Sequence, residues 1–590
     1  MKIAVRASYL LTFVWTLLFA AVFFPCLSEP FLITFGDGAA VIENTSIRSL
    51  DLASVWKFFT GFEGDTYRPL TNLFYAVEFH FLRFYAPAYH GTHLLLHWIN
   101  TLLIFLFLCK AGLSRTFAAL ATLALDIHPM RAESAIWIAQ LNNLLSSFFC
   151  LLSLLSYQLF QKGNRRRWML GSFVAFIAAC LSDAAFSIGL PFVLVALDWR
   201  APLGRRTKIL SKLPFFAVTL AVFFFGVSQT LRSGALFDGV NLVFLGYSLI
   251  YHAAMFFVPV MLSSFHPRPV MDGSMIIAAG LAVVLGVLIW RMRRKHPDLF
   301  FGAFFFTVLF APKAMSHLWI GQASFFSDHD SYLPAVGLIF LSASYLNKVV
   351  SDSKTRRALL IIVYSAWVLW LSWVTMARTA TFKSDIHIWA DVLKSYPRSE
   401  TALFGRGRAH FLARRYDESI ADFEGALREN PDNVMARLHI GDAQLRAGKS
   451  DAAEQTFAQI ADRFPDNAES WSRLGELEMA RGKGAAAKIK FETALSKDPK
   501  NWRAHTGLGG LAMQAEDLET ALVELGKATD MHPASVLPYV RSFVVHTLLG
   551  RKEEAARHFQ NVLKWEEDGE VIVAMFREEF KRAGSQEAGS

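Results

Sequence analysis

Cysteine is scarce in this chain of 590 residues: Cys26, Cys109, Cys150 and Cys180 all lie in apolar runs, and the C-terminal half has none. That set builds neither a disulfide framework nor a zinc site. Charge is also sparse, 18% against 53% hydrophobic residues, with mean hydropathy +0.32. Such a balance excludes an ordinary soluble protein of this length and points to a polytopic membrane protein. Acidic residues are the scarcer sign, 50 against 59 Lys and Arg. The excess sits mostly in basic clusters at the ends of apolar runs and gives no ground for a nucleic-acid partner. A small-residue cleavage site is missing too. "FFPCLSEP" closes the apolar run Tyr9–Phe24, which therefore reads as an uncleaved first span.

Further apolar runs predict helices at about 93–109, 115–127, 134–160, 168–182, 184–198, 213–230, 274–291, 299–313, 333–348 and 358–378. Basic clusters punctuate them at Lys2/Arg6, Lys110/Arg115, Lys162/Arg165–Arg167, Arg205–Lys212, Arg291–Lys295 and Lys348–Arg357. With eleven spans all six clusters share one side, which is then the cytoplasm. Leu242–Leu262 is apolar enough to cross, but counting it would put Arg291–Lys295 outside, so a re-entrant or surface-lying segment is expected there. The N-terminus is then cytoplasmic, and the loop 28–92 and everything after the last span are on the outer, periplasmic or luminal, side.

Beyond a linker helix at 379–398 the pattern changes. Pro397, Pro431, Pro465, Pro499 and Pro533 recur every 34 residues, Gly407, Gly441, Gly475 and Gly509 keep the period, and Phe423, Phe457, Phe491, Leu525 and Phe559 follow in register. This is the tetratricopeptide signature, five units over 399–569 ahead of a polar tail at 570–590. Glycine lets paired helices approach, the aromatic fills their interface, and proline ends the second helix. The concave face of such a stack suits a protein or peptide. The overall class is all-α: a helical membrane domain over 1–378 followed by an α-solenoid.

Polar residues at membrane depth are costly, so their gathering on one side marks a candidate site. On the outer side stand Asp37 and Glu43 in "FGDGAAVIEN", Arg68 in "YRPLT", His90, His93 and His97, "HPMRAES" with His128, Arg131 and Glu133, and "SDHDSYLP" with Asp328, His329 and Tyr332. His93 and His97 share a helix face, but apolar helices often carry a histidine satisfied by a neighbour, so they are not read as metal ligands. His128-Pro129 reads equally well as a helix cap.

Taken in order, "FGDGAAVIEN", "YRPLT", the three histidines, "HPMRAE", the "LP…LD" helix ending at Asp198, "SDHDSYLP" and the repeats resemble the transmembrane and tetratricopeptide-repeat O-mannosyltransferase family and its bacterial relatives. These belong to the GT-C superfamily of polyprenyl-phosphate-sugar-dependent glycosyltransferases. The resemblance implies that Asp37 acts as base on an acceptor hydroxyl. It also implies that Arg68, Arg131 or His329 stabilises the leaving lipid phosphate, with His97, His128, Glu133, Asp328 and Tyr332 lining the site. One direct displacement would invert the sugar configuration. The partners implied are a polyprenyl-phosphate sugar as donor, the membrane, and a protein or envelope-glycan acceptor; no cofactor is assigned and the need for a divalent metal stays open. The chain departs from the family pattern at Gly36-Asp37, where an acidic pair is usual, at Gln140–Leu145, near Ala184 where a lysine or similar polar group is expected, and at His329 in place of arginine. These departures leave a second reading: a catalytically silent membrane scaffold whose repeats assemble envelope or secretion machinery.

Overall fold

The computed structural model describes residues 15–61, 67–163, 165–199, 205–232, 239–268, 271–320, 324–350, 354–533 and 535–565. Lys2, Arg6 and the tail 570–590 lie outside them. The chain forms two compact units, Met1–Ala402 and Leu403–Ser590. Among the described residues the only strands are His266–Pro267 and Ser324–Phe326, paired antiparallel; all other regular structure is helical.

Six helices of the first unit are long and apolar enough to cross a membrane: Ala86–Lys110, Ile138–Gly163, Lys208–Ser228, Gly273–Met292, Pro297–His317 and Ala358–Lys383. Trp15–Ser28 and Ile33–Ile42, bent by 80°, make a seventh if taken together. The expected count of eleven therefore does not appear as eleven full-length helices. Arg115–Asp126 has 12 residues, Ala335–Val350 has 16 and Arg166–Ser182 has 17, short of the ~20 that a perpendicular crossing takes. The reason is packing: Arg115–Asp126 buries a continuous row from Ala121 to Asp126 against protein, so its apolarity answers to neighbouring helices as much as to lipid. Close approach is set by small residues, as where Gly302 meets the backbone of Gly337.

The segment that disturbed the sequence count is the helix Gly239–Phe257. Gly246 packs on Ala279, Phe244 clusters with Met275, Phe325 and Phe326, and the His252 ring meets the carbonyl of Ser327 at 3.1 Å. Its far end accepts a hydrogen bond at the Phe256 carbonyl from His128 Nε2 at 2.8 Å. The segment packs alongside Gly273–Met292 and reaches the middle of Pro297–Ile320, where the His252 ring lies 4.4 Å from Phe310.

The second unit continues a stack of antiparallel helix pairs that begins with Glu400–Leu412 and Tyr416–Glu429 and ends with Val536–Leu548 and Lys552–Trp565. A methyl at Gly407 or Gly475 would stand 2.8 or 2.7 Å from the ring of Phe423 or Phe491, so the Gly and Phe registers are two halves of one contact. Asn433, Asn467 and Asn501 cap successive first helices by accepting the backbone N–H three residues on. A further register appears only in the backbone: Arg414, Gly448, Gly482, Glu516 and Gly550, 34 apart, all take positive φ in the turn inside each pair. Two of the five are not glycine, which for an L-residue costs ~1–2 kcal/mol. We expect Gly475→Ala to destabilise its repeat by about 1–3 kcal/mol through overpacking, read in the full chain as faster hydrogen exchange over 468–497. Glu516→Gly should slow exchange over 502–531, equivalent to at most about 1 kcal/mol; unchanged exchange in both variants would contradict the packing account.

Candidate functional site

The loop between the first two apolar runs is built around an irregular turn. Ile33–Ile42 winds as a wide π-helix, with Gly36 at φ 142. A Cβ at Gly36 would also stand 3.0 Å from the Trp137 ring, so glycine is required twice over. The opening N–H groups of this helix have no internal partner. Asp385 supplies one, accepting from the backbone of Ile33, Thr34 and Phe35 at 2.9, 2.8 and 3.1 Å and from Thr34 Oγ1 at 2.7 Å. Phe35 is wedged between Trp137 and Trp389, ring centroids 4.7 and 4.8 Å away. Asp37, 1% exposed, accepts from Leu32 N through Oδ2 and from Ala139 N through Oδ1, both at 2.8 Å. This turn folds away from the first span. Burial pushes the Asp37 carboxyl up to about 7 against the two backbone donors that favour its charge, and the neighbouring Asp385 adds to the rise.

Trp137 links this loop to a second group of polar side chains. Its ring lies 5.6 Å from His329, and His329 Nδ1 is 3.4 Å from Glu133 Oε1. Both Glu133 oxygens are buried without a hydrogen-bond partner. Asp330 lies between His329, at 3.8 Å, and His317, at 3.0 Å. Four residues before His317, Lys313 Nζ meets Asp183 Oδ2 at 2.8 Å, and Asn142 Nδ2 donates to the same oxygen at 2.7 Å. Arg68 interacts electrostatically with Asp183 and with Tyr75, and Tyr75 in turn senses Asp37. The structure therefore brings Asp37, Arg68, Glu133 and His329 into one neighbourhood. It adds Lys313, His317, Asp183 and Asp330, which the motifs did not single out. The signal for Lys313 was present: a lysine beside Pro312 in an otherwise apolar helix must have a partner. Near Ala184, where the resemblance leads to a lysine or similar polar group, the preceding Asp183 meets a cation from another helix, Lys313.

The other expected residues lie elsewhere. Arg131 and Glu133 are two apart on the helix Pro129–Ile136 and so face nearly opposite ways. Arg131 stacks 4.0 Å over the Tyr332 ring. Tyr332 OH hydrogen-bonds His97 Nδ1 at 2.6 Å, and His97 Nε2 lies 3.3 Å from Asp126, with Trp15 and Thr101 also donating to Asp126. His97, Arg131 and Tyr332 are thus parts of an interior network that ties helices together. His128 caps its helix by accepting from Met130 N at 3.3 Å. Asp328 holds the segment 251–266 through Ser263 N, His266 and Tyr251 at 2.9, 3.1 and 3.3 Å. Asp198, at the other end of its helix, is paired with Lys212. His90 meets the Glu29 carbonyl at 3.1 Å, His93 lies 3.8 Å from Glu78, and Glu43 is exposed. Among the described residues no group of three His, Cys, Asp or Glu side chains could hold a metal.

In the second unit the first helices of successive repeats touch one another and form the inner row. Their charges run as a ladder: Arg473 reaches Asp442 at 2.7 Å, Glu476 at 3.5 Å and Glu469 at 3.6 Å, and Arg503 reaches Glu469 at 2.5 Å. His439 stacks on Phe423 at 5.3 Å, and burial with Arg408, Arg473 and Arg503 pushes its pKa down to about 4. The row thus offers paired charges around a neutral imidazole, a surface suited to polar peptide contacts.

Two tetratricopeptide-repeat family models match residues 410–477 and 472–535; the C-terminal unit carries tetratricopeptide repeats. A stretch of 131 residues, 21% of this chain, is 28% identical to the human protein O-mannosyl-transferase TMTC3, and covers 14% of that protein's length. The chain therefore matches only a small part of this relative. Among solved structures, the thermophilic tetratricopeptide protein TTC0263 of Thermus thermophilus is 20% identical, covering 30% of this chain and 97% of that one with TM-score 0.27. MamA of Desulfovibrio magneticus RS-1 is 18% identical, covering 29% and 96% with TM-score 0.23.

Proposed function

We propose that the chain is a membrane glycosyltransferase that moves a sugar, with inversion, from a polyprenyl-phosphate donor to a protein hydroxyl or envelope glycan on the outer side of the membrane. The observation that carries this reading is the pairing of one rigidly held carboxylate, Asp37, with a basic set: His329 beside Trp137, then His317 and Lys313, and Arg68 facing Asp183 and Tyr75. The partial likeness to a protein O-mannosyl-transferase supports the same class. In this reading the first unit makes eleven crossings, the shorter helices included. The N-terminus is cytoplasmic and the outer face carries both the Asp37 loop and the repeats, which hold a protein acceptor.

The chemistry asks for both halves of that constellation. A hydroxyl is almost wholly protonated at neutral pH, so attack on the anomeric carbon needs a carboxylate to take its proton as the new bond forms. Asp37 takes the proton. The bond from the anomeric carbon to the phosphate oxygen breaks with its electron pair, and the lipid phosphate leaves as an anion. Lys313 and Arg68 stabilise that anion, and His329 and His317 hydrogen-bond it. Asp183 and Asn142 orient Lys313, and the unpartnered Glu133 carboxylate beside His329 receives sugar hydroxyls.

A second reading has its own support. Both Asp37 oxygens are already engaged by backbone N–H groups, as in a carboxylate that only staples a loop inside a scaffold. The two readings part on kinetics. Asp37→Asn should cut transfer from a polyprenyl-phosphate sugar by about 10²–10⁴-fold while donor binding persists. Since the amide NH₂ replaces one acceptor, its thermal stability must be measured alongside. Wild-type transfer in the folded variant, or no transfer by the wild type with any such donor, favours the scaffold. Because Asp37 must be ionised to accept the proton and its carboxyl is raised to about 7, the rate should climb with pH up to about that value and level off above it. The double variant Asp183→Asn, Lys313→Met removes the buried pair without stranding either charge. It should weaken donor binding by about tenfold or more, whereas unchanged binding would remove Lys313 from the site.

A further inference from the structure

Far from the Asp37 loop, the first unit has a cavity of about 290 Å³ lined by Ala196, Trp199, Trp290, Arg293, Phe300 and Phe301. It sits where the helix Pro297–Ile320 begins; Lys313 lies 16 residues further along, about 24 Å away at 1.5 Å per residue. A hydrocarbon core is about 30 Å thick, so the cavity and the polar constellation belong to opposite membrane surfaces. The walls are aromatic: Trp199 and Phe300 lie 5.4 Å apart, Trp290 and Phe300 5.8 Å. Trp199 and Trp290 are 57% and 51% exposed, the half-wet placement of tryptophan at a headgroup level.

The rim is cationic. Arg293 stacks 4.1 Å over Trp290 and donates one Nη1 hydrogen bond, 2.8 Å, to the Trp290 carbonyl, which fixes the guanidinium over the opening. Arg291, Arg294 and Lys295 flank it and are exposed. The carboxylates beside the lining residues, Asp298 and Asp198, are paired with Lys348 at 3.0 Å and with Lys212 and so do not cancel the charge. A small apolar cavity with a planar cation at its mouth and a basic cluster around it matches one ligand chemistry, a hydrocarbon chain ending in a phosphate at the membrane surface. The volume, at the low end of the roughly 300–1,000 Å³ of ligand sites, suits part of a lipid.

We propose that this cavity binds an anionic glycerophospholipid, with an acyl chain against Trp199 and Phe300 and the headgroup phosphate on Arg293. The test uses the full chain, purified in detergent and stripped of lipid, with native mass spectrometry of added phosphatidylglycerol or phosphatidylcholine of the same acyl chains. Phosphatidylglycerol should bind in preference, and Arg293→Gln should lower its occupancy about tenfold, the loss of a charge-assisted hydrogen bond. Arg294→Gln removes the same charge outside the cavity and should lower occupancy by no more than about fivefold, as expected for diffuse surface attraction. Equal binding of the two lipids, equal effects of the two substitutions, or displacement of the lipid by millimolar inorganic phosphate would each overturn the proposal.

Discussion

Most charges carried into the apolar unit are met by a partner, and the arrangement of that unit follows from this constraint. An unpaired ion in a low-dielectric interior costs several kcal/mol, on the order of the whole stability of a domain. Asp183 is met by Lys313 and Asn142, Asp126 by His97, Trp15 and Thr101, Asp328 by His266 and Ser263, and Asp198 by Lys212. Most of these partnerships join different helices, from 14 residues apart for Asp198 and Lys212 to 130 for Asp183 and Lys313. Together they decide which helix stands beside which more specifically than the surrounding leucine and phenylalanine can, because apolar contacts between helices resemble apolar contacts with lipid.

Two carboxylates act on one loop in different ways. Asp385 collects the N–H groups at the start of Ile33–Ile42, doing for a wide helical turn what a capping side chain does for an ordinary helix. Asp37, two residues past the last of these donors, anchors the loop to Ala139. The first acts as a cap; burial raises both carboxyls, and that of Asp37 is pushed up to about 7. Holding the backbone with one carboxylate leaves the other in a fixed position, the condition under which a base contributes most.

Legibility from the sequence differed between the two units for a physical reason. The repeats place each Gly, Phe and Pro in contact with a residue a fixed distance along the chain, as in Gly475 on Phe491, so a period in sequence is a contact in space. The positive-φ turns follow the same period, yet Arg414 and Glu516 hide it because backbone conformation there is imposed by the helix pair on either side. In the membrane unit contacts have no period. Buried protein-facing helices and lipid-facing helices share a composition, so a run such as Arg115–Asp126 does not tell in sequence how much of it faces protein.

The sequence by itself determined the class: an apolar unit with few, placed charges, and a helical repeat array. Composition and period suffice for that because each is local. Only the tertiary structure decided which polar residues belong together. It sent Arg131 and Glu133, two residues apart, to different networks, gave His128 and Asp328 partners at a helix cap and at Ser263, and brought Lys313 to Asp183. Helical geometry turns neighbours in sequence to opposite faces, and the need to pair buried charge reaches across the fold to whichever helix supplies the partner.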